Sequence, residues 1–410
     1  MKLLMLADDL TGAMDSSVFF AQLGADTKVY LTPELSPADW KMLSEGKESP
    51  EVVCINTESR HLPPAEAAAI VFKLARTAAA EKIPYIYKKT DSALRGNVGA
   101  ELEAFRQGLG LKVLPFVPAH PRLNRILRKG ILYIDKVPVN ETALGRDPFN
   151  PVRFCRAEDI LRDTSPEIRI AESLMGEGIR ILNGETTEDL QLAGKLLEQE
   201  GYLRALAGCG GFAETIAKLL YPVLDNSSEA AEKGIHIDAQ GSGSLRKGLL
   251  VVSGSLHEQS LKQLKKARKQ GHAVFWAGDE ILEPLGRELA ATGIGIFSGC
   301  MLREDTGEPV LSLSMEEAGE RIASAAHEAI EKLKPEAVCV FGGDTLTGIL
   351  KTFGVRSLMV QRELFPGVIL GSFELPDGDR LSVVTKAGSF GEEDLIEKLS
   401  EIFNCRKTEQ

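Results

Sequence analysis

The sequence predicts an α/β protein made of two α/β domains, each with a mainly parallel sheet flanked by helices. The first observation is that short apolar runs alternate with longer amphipathic stretches along all 410 residues. Such alternation is typical of parallel sheets covered by helices on both faces. The second is a polar stretch rich in glycine and serine, at 225–247, where the alternation stops. Exposed connections have that composition, so we expect a boundary near residue 235, between domains 1–235 and 236–410.

The first predicted domain begins with an apolar strand at 3–7 and continues in strand–helix pairs. Its further strands are expected at 52–56, 85–87, 113–117, 179–182 and 205–207. Its helices are expected at 12–23, 64–81, 97–108 and 186–200. The segment 131–139 is the exception, because a proline confines it to a sheet edge, and a short antiparallel excursion is expected there.

The second predicted domain repeats the alternation. Its strands are expected at 249–253, 273–276, 338–341 and 381–385, and its helices at 258–270, 315–332 and 392–403. Neither series contains an internal repeat. Two α/β domains with mainly parallel sheets are therefore the predicted organisation.

Charge and cysteine content exclude several classes of protein. The chain has 48 lysines and arginines against 59 aspartates and glutamates, a net charge of −11, which disfavours a nucleic-acid binder. The six cysteines are scattered without a C-x-x-C pair, so neither a zinc site nor a disulfide framework is expected. The apolar run at 3–7 is too short for a signal peptide or a membrane span. We expect a cytoplasmic protein without a membrane partner. The sequence leaves open whether the chain forms a homo-oligomer.

The first motif with chemical content is ADDLTGA at 7–13, directly after the opening strand. Ligands of open parallel sheets bind beyond the carboxyl ends of the strands. The adjacent Asp8 and Asp9 could there accept hydrogen bonds from sugar hydroxyls or bind a hydrated magnesium ion. The alternative interpretation is helix capping by one of the two aspartates, which explains a single carboxylate better than a pair.

The second motif is KKTDSALRGN at 88–97, again a strand that leads into a turn and a helix. Its cations and hydroxyls suit a carboxylate or phosphate, and its one carboxylate suits a hydroxyl group. The candidate substrate-binding residues of this motif are Lys89, Thr90, Asp91 and Ser92. Arg60, after the strand at 52–56, is a candidate anion clamp. The alternative is a solvated turn with an Asp91–Arg95 ion pair.

The third motif is FGGDTLTG at 341–348. Backbone N–H groups of Gly342 and Gly343 could approach a phosphate at a helix N-terminus. Asp344 could face a metal ion or the attacking hydroxyl, and Thr345 could donate to a phosphate. The alternative is a tight turn capped by Asp344. Because two more glycine loops follow strands of this domain, at 253–255 and 386–391, a nucleotide pocket is predicted.

Several catalytic classes lack their motifs. The chain has no P-loop, no clean G-x-G-x-x-G fingerprint, no H-E-x-x-H and no G-x-S-x-G. Its six histidines show no metal-ligand spacing. These absences disfavour a P-loop ATPase, a dinucleotide-dependent oxidoreductase, a zinc hydrolase and a serine hydrolase.

Motifs along nearly the whole chain resemble those of the four-carbon acid sugar kinase family. In the first half these are ADDLTGA, KKTDSALRGNVGAEL, VPAHPRLNRI and ETALGRDP. In the second half they are VVSGS, FGGDTLTG, PGV at 366–368 and TKAGSFG. The motifs follow one another in the family's order. One departure is Leu256-His257, where relatives often carry Cys-Ser.

The resemblance implies ATP-dependent phosphorylation, with Mg²⁺, of the terminal hydroxyl of a four-carbon sugar acid. It implies that the first domain binds the sugar acid, through Asp8, Arg60 and Lys89–Ser92, and that the second binds ATP. The implied ATP-binding residues are Ser255, Gly342, Gly343, Asp344, Thr345 and Gly388. Within the family, the motif KTDS-x-LRG resembles that of D-threonate and D-erythronate kinases more than that of 3-oxo-tetronate kinases. A non-catalytic sugar-acid sensor is the rival interpretation, and it leaves the three glycine loops unexplained.

Phosphorylation requires a group that takes the proton of the attacking hydroxyl. Asp91 and Asp344 are the candidate catalytic bases, and Asp91 is preferred slightly because it lies in the sugar-acid half. Asp344, in the phosphate half, could equally orient the metal ion or the nucleotide. The sequence leaves this choice open.

Overall fold

The structure is a computed structural model that describes residues 1–46, 49–146, 151–162, 168–171, 173–222, 248–303, 309–310 and 314–403. The chain divides into two compact units, Met1–Leu224 and Asp225–Gln410. The predicted boundary at residue 235 lies outside the described residues. The α/β class with mainly parallel sheets flanked by helices is confirmed.

The N-terminal unit contains an eight-stranded parallel sheet and a separate small antiparallel sheet. The strands of the parallel sheet are β1 (Leu3–Ala7), β2 (Thr27–Tyr30), β3 (Val52–Asn56), β4 (Tyr85–Lys89), β5 (Val113–Val117), β9 (Ile168–Ile170), β10 (Gly178–Ile181) and β11 (Ala205–Gly208). Their spatial order is β2-β3-β1-β4-β11-β5-β10-β9, with every pairing parallel. The small sheet is formed by β6 (Arg125–Arg128), β7 (Ile131–Ile134) and β8 (Val137–Pro138), which confirms the predicted antiparallel excursion.

Helices cover this sheet on both faces. They are α1 (Leu10–Gln22), α2 (Pro37–Glu45), α3 (Pro64–Ala80), α4 (Val98–Gly108), α5 (Ala157–Leu161), α6 (Thr187–Gln199) and α7 (Gly210–Leu220). α1 packs against α7, and α3 packs against α4. β1, β3 and β5 are buried along their whole length, as strands of a doubly covered sheet must be.

The strand order creates a switch point at β1. The chain runs from β1 to β2 and returns to β3 on one side of β1, then crosses to β4 on the other side. In register, Ala7 stands level with Asn56 of β3 and with Lys89 of β4. The loops that follow these three strands therefore emerge side by side. Crevices at such switch points are where open α/β sheets bind ligands.

The C-terminal unit contains a seven-stranded mixed sheet and a separate two-stranded sheet. Its strands are β12 (Leu249–Ser253), β13 (Val274–Trp276), β14 (Ile294–Ser298), β15 (Met301–Leu302), β16 (Pro309–Val310), β17 (Ala337–Phe341), β18 (Ser357–Phe365), β19 (Val368–Glu374) and β20 (Arg380–Lys386). The order in the mixed sheet is β13-β14-β12-β17-β20-β19-β18. The first five strands are parallel, and β19 is antiparallel to both β18 and β20. β15 pairs with β16.

The helices of this unit are α8 (Glu258–Lys269), α9 (Leu282–Thr292), α10 (Met315–Leu333), α11 (Gly343–Thr352) and α12 (Leu395–Ile402). β12, β17 and β20 end level with one another, since Ser253 pairs with Phe341 and Phe341 pairs with Lys386. Beneath these ends lies a core that includes Val251, Leu264, Ile296, Cys339, Val384 and Leu399. The glycine loops thus follow three adjacent strands.

Candidate functional site

Most of the predicted substrate-binding residues meet at the switch point of the N-terminal unit. Asp8 and Asp9 follow β1, Arg60 follows β3, Lys89 ends β4, and Asp91 lies in the next turn. We call these five residues the strand-end cluster. Sequence order placed each of them after a strand, and the register of the sheet brings them together. Whether they bind substrate stays a prediction.

Arg60 is the centre of the strand-end cluster. Its Nε donates to Asp8 Oδ2 at 2.8 Å, and its two terminal nitrogens donate to the Asp9 carboxylate at 2.8 and 2.7 Å. Its Nη2 also lies 3.9 Å from Asp91 Oδ1. The guanidinium predicted as an anion clamp is therefore already engaged by carboxylates, and it fixes the geometry of the two loops.

The two adjacent aspartates have different surroundings. Asp9 caps α1, because its side chain accepts the N–H of Gly12 at 3.0 Å. Asp8 is buried, and burial raises the pKa of its carboxyl while Arg60, Lys89 and Lys88 more than offset this, so the pKa lies below its usual value. Asp8 Oδ1 is buried without a hydrogen-bond partner among the described residues. Capping thus accounts for Asp9 and leaves Asp8 with an unused acceptor.

The turn after β4 contains the Asp91–Arg95 ion pair of the alternative interpretation, but the Asp91 carboxylate is buried and Arg95 is only partly exposed. Arg95 Nε and Nη2 each donate to the Asp91 carboxylate at 2.9 Å, and the Ala93 N–H donates to Asp91 Oδ2 at 3.2 Å. Burial raises the pKa of Asp91, but Arg95 and Arg60 together lower it by more, so the pKa lies well below its usual range. Asp91 is therefore held as a fully engaged carboxylate.

A buried ion pair joins β4, directly before this turn, to α4. Lys88 Nζ lies 2.8 Å from Glu101 Oε2, with both side chains almost fully buried. Ser59, in the loop after β3, also donates to the Glu101 carboxylate. The Asn97 amide donates to the backbone carbonyls of Ser59 and Leu62 at 2.9 and 2.7 Å. The loops after β3 and β4 are thus tied to each other and to α4.

Lys89 points toward the N-terminal part of α1. A Cβ on Gly12 would collide with Lys89 Nζ, so only glycine there lets the ammonium lie against the helix. Lys89 Nζ is 4.0 Å from Asp15 Oδ1. Burial lowers the pKa of Lys89, but Asp15, Asp9 and Asp8 raise it more, so the ammonium stays charged.

Sequence reasoning missed three polar residues at the same edge of the sheet, Asp15, His120 and Arg125. Arg125 donates to the Ser92 hydroxyl and lies close enough to Asp91 to lower the pKa of that carboxyl, without an ion pair within 4 Å among the described residues. His120 is 8% exposed, and its Nδ1 is buried without a partner in the described part of the chain. Burial, together with Arg125 and Arg122, lowers the pKa of His120 to about 3, so the imidazole is neutral.

Two of the missed residues, Asp15 and His120, lie beside the N-terminus of α7. The point where a Cβ on Gly210 would stand is 3.4 Å from Asp15 Oδ1 and 3.5 Å from His120 Nε2. A Cβ on Gly211 would lie 2.8 Å from the His120 Cα, so Gly211 is needed for close packing of α7. The signal in the sequence was VPAHPRLNRI, which contains both His120 and Arg125. Asp15 gave only a lone carboxylate inside a helix of small and apolar residues.

Thr90 and Ser92 have partners within the unit. The Thr90 N–H and hydroxyl both donate to the Gly208 carbonyl, at 2.8 and 3.4 Å. Ser92 is buried and receives the Arg125 guanidinium. Thr90 therefore joins β4 to β11, and Ser92 joins the β4 turn to β6.

In the C-terminal unit, the three predicted glycine loops converge. A Cβ on Gly388 would lie 2.5 Å from Ser255 Oγ, and one on Gly342 would lie 3.3 Å from Thr345 Oγ1. Gly342 is the N-cap of α11 with φ 112°, a conformation that side chains other than glycine rarely adopt. Asp344 is exposed in the first turn of α11 and does not cap it. The capping interpretation of Asp344 is thereby wrong.

A buried lysine fixes the third loop. Lys386 Nζ donates to Ser260 Oγ at 3.0 Å and to the carbonyls of Ala387 and Gly388 at 3.2 Å each. It also lies 4.2 Å above the centre of the Phe341 ring. Burial lowers the pKa of Lys386 to about 8. The ammonium therefore holds the backbone of this loop while it keeps a positive charge beside it.

A cavity of about 180 Å³ opens next to the glycine loops. It is mainly apolar, and its lining includes Gly254, Leu256, Cys300, Met315, Ile322 and Thr345. Sites for small molecules are largely apolar with a few polar groups that set orientation. Sequence reasoning found the loops and missed this cavity, because its walls come from α10 and the β14 loop.

The described residues contain no group of three or more His, Cys, Asp or Glu side chains that could hold a metal ion. In the part of the chain that the structure describes, no helix has the length and apolar character needed to cross a membrane.

Two family models match the chain. The model described as a sugar-binding N-terminal domain matches residues 3–216. The model described as a nucleotide-binding C-terminal domain matches residues 296–396.

Relatives of similar length match almost the whole chain. A D-threonate kinase of Salmonella typhimurium is 26% identical, over 97% of this chain and 97% of that protein. A D-erythronate kinase of Heliobacterium modesticaldum is 26% identical over 95% and 94%. A 3-oxo-tetronate kinase of Methylobacterium radiotolerans is 25% identical over 95% and 96%.

Solved structures share the fold. A Salmonella typhimurium protein superposes with a TM-score of 0.74 at 18% identity, covering 98% of this chain and 99% of that one. A Haemophilus influenzae protein gives a TM-score of 0.69 at 17% identity, covering 98% and 100%.

Proposed function

The chain belongs to the family of the sugar-binding N-terminal domain, and from this membership we propose an ATP-dependent kinase that phosphorylates the terminal hydroxyl of a four-carbon sugar acid. The observation that carries the proposal is that kinases of such acids match at least 95% of the chain. We further propose that the N-terminal unit binds the sugar acid and the C-terminal unit binds ATP, as the two family models suggest.

The N-terminal unit offers the groups that a sugar acid needs. Arg125, which forms no ion pair within 4 Å among the described residues although it lowers the pKa of the nearby Asp91, supplies a cation for the carboxylate. The unpartnered Asp8 Oδ1 supplies an acceptor for a sugar hydroxyl. Lys89 supplies a second positive charge at the same edge of the sheet. A small anion with several hydroxyls fits this set better than a neutral or apolar ligand.

The C-terminal unit offers the groups that a nucleotide needs. The backbone N–H groups at the start of α11 and in the loops of Ser255 and Gly388 suit the phosphates. The apolar cavity beside them suits the purine ring. Lys386 adds a positive charge next to the third loop. Such a site stabilises a transferring phosphoryl group mainly by position and charge.

Magnesium fits the residues present. Kinases bind Mg²⁺ through one or two carboxylates together with the phosphates of the substrate, so the absence of a three-ligand group from the described residues is compatible with it. Asp344, exposed at the start of α11, is the residue we expect to hold the ion. When bound, Mg²⁺ would neutralise charge on the phosphates.

D-threonate and D-erythronate are the proposed substrates, and a 3-oxo-tetronate is the second candidate. The preference rests on relatives with those names and on the KTDS-x-LRG motif, whose Ser92 contacts Arg125. A cytoplasmic location is proposed with it, because ATP is the phosphoryl donor and the described cysteines are free thiols.

A coupled assay of ADP release over a panel of four-carbon sugar acids tests the proposal. We expect turnover with D-threonate or D-erythronate that needs Mg²⁺ and exceeds turnover with 3-oxo-tetronates. Strong preference for a 3-oxo-tetronate would select the second candidate.

Binding measurements separate the kinase from a sugar-acid sensor. ATP that binds the folded state at about 100 times its Kd adds about 2.7 kcal/mol of stability, so the Tm should rise with ATP. A protein that binds a sugar acid, gains no stability from ATP and releases no ADP would be a sensor.

A further inference from the structure

Asp15 is the one carboxylate near Lys89 that no arginine holds in the described part of the chain. Asp8 and Asp9 are both bound by Arg60, at 2.8 and 2.7 Å. Asp91 is bound by two nitrogens of Arg95 at 2.9 Å. A two-nitrogen arginine fork, as on Asp9 and Asp91, occupies the lone pairs that a substrate hydroxyl would otherwise use. Asp8 keeps one unpartnered oxygen among the described residues, but its side chain is only 3% exposed and its pKa lies below the usual value.

No such arginine contact among the described residues occupies the lone pairs of the Asp15 carboxylate. Its Oδ1 accepts a hydrogen bond from Ser16 at 2.8 Å and lies 4.0 Å from Lys89 Nζ. A quarter of its side chain is exposed, whereas the Asp8 and Asp91 side chains are 3% and 7% exposed. The carboxylate also lies beside Gly210, where the absent Cβ leaves an open position shared with His120. Asp15 can therefore meet a ligand that also contacts the N-terminus of α7.

We propose that Asp15 is the general base of the phosphoryl transfer, accepting the proton of the terminal hydroxyl of the sugar acid. The inference rests on the proposed kinase function. In this step the O–H bond breaks and its proton passes to the Asp15 carboxylate. The oxygen forms a bond to the γ-phosphorus of ATP, the bond from that phosphorus to the β,γ-bridging oxygen breaks, and ADP leaves.

The proton affinity of Asp15 suits this role. Burial raises its pKa to about 6, and Lys89 and Ser16 only partly offset the effect. General bases are most effective when their pKa lies near the working pH. Asp91, whose pKa lies well below the usual range, is a weaker base. The titratable and charged groups near Asp15 are Asp9, Arg60, Tyr87, Lys89, His120 and Cys209.

Lys89 completes the arrangement. The ammonium beside Asp15 attracts the substrate's negative charge. Its partners Asp15, Asp9 and Asp8 keep its own pKa raised, so it does not compete for the hydroxyl proton. We expect Lys89 to orient the substrate while Asp15 moves the proton.

The experiment compares Asp15→Asn with Asp91→Asn in the full-length protein, with Asp26→Asn, which is exposed, as the matched control. With ATP, Mg²⁺ and the best sugar acid of the panel, we expect kcat of Asp15→Asn to fall about 10²–10⁴-fold. Sugar-acid binding, measured by calorimetry, should change much less. The acidic limb of the kcat–pH profile, near pH 6, should disappear in this variant and persist in Asp91→Asn.

An Asp15→Asn variant with near-normal kcat, or one that keeps the acidic limb, would overturn the proposal. Loss of that limb in Asp91→Asn alone would move the role to Asp91. If Asp15→Asn does not fold, Asp15→Glu serves instead, because a displaced carboxylate should lower kcat and retain the limb. A wild-type protein that turns over none of the sugar acids would refute the kinase function itself, which is a separate outcome.

Discussion

Replacing Asp15 by asparagine should stabilise the protein at neutral pH although it removes a proposed catalytic group. Burial raises the pKa of Asp15 from 3.8 to about 6, so the folded state holds this proton more tightly than the unfolded chain does. The charged form is therefore costly to bury. By linkage, the cost is absent below pH 3.8, grows as the pH rises, and is complete above about pH 6.

The size of this effect follows from the shift. One pKa unit corresponds to about 1.4 kcal/mol, so a change from 3.8 to about 6 sets an upper limit of about 3 kcal/mol. The Asp15 side chain is a quarter exposed, and asparagine leaves Lys89 without its partner at 4.0 Å. Allowing for solvent screening, we expect a gain of about 1–2 kcal/mol. That gain corresponds to a rise in Tm of about 2–8 °C.

Thermal unfolding of the wild type, Asp15→Asn and the control Asp26→Asn, followed by circular dichroism from about pH 4 to pH 8, measures this difference. The Tm advantage of Asp15→Asn should be largest near pH 8 and vanish near pH 4. A variant that is less stable than the wild type near pH 8 would refute the reasoning. It would mean that the contact with Lys89 outweighs the burial of the charge.

The other predictions concern three further positions. Gly342→Ala should abolish the rise in Tm with ATP, because a φ of 112° costs a residue with a side chain about 1–3 kcal/mol. The control variant Gly354→Ala, also at a positive φ, should retain the rise in Tm. An unchanged ATP effect in Gly342→Ala would remove this loop from the site. Arg125→Met should raise the sugar-acid KM about 10–100-fold through loss of a charged hydrogen bond. The KM of the control variant Arg128→Met, on the same strand, should stay normal. Equal KM values in the two variants would count against a contact between Arg125 and the substrate carboxylate. Asp91→Asn should lower stability at pH 7 by about 1–3 kcal/mol. Because its pKa is depressed, the ion pair stabilises above pH 3.8 and less as the pH falls, so wild type and variant should converge in acid.

The sequence by itself determined the fold class and where the candidate sites begin. Strands such as β1, β3, β5 and β12 were predicted with the bounds observed, because fully buried strands are short apolar runs flanked by polar turns. Elements such as α7, β18 and β19 were not predicted, and α11 was expected only as a helix that follows the glycine turn, without bounds. Glycines open α7 and α11, and the apolar run of β18 is only three residues long, at 358–360, before polar and charged residues follow, so local pattern gave little signal for these elements.

Only the tertiary structure decided which charges pair. Asp9 and Arg60 are 51 residues apart in sequence, and they meet because β1 and β3 are adjacent and in register. That pairing makes Arg60, the predicted anion clamp, the residue that joins the loops after β1 and β3. It also leaves Asp15, from the interior of a helix, as a carboxylate beside Lys89 that no arginine holds among the described residues and that is a quarter exposed. Spacing along a chain predicts which strand end a residue follows, but proton affinity depends on burial and on partners that only the folded sheet brings together.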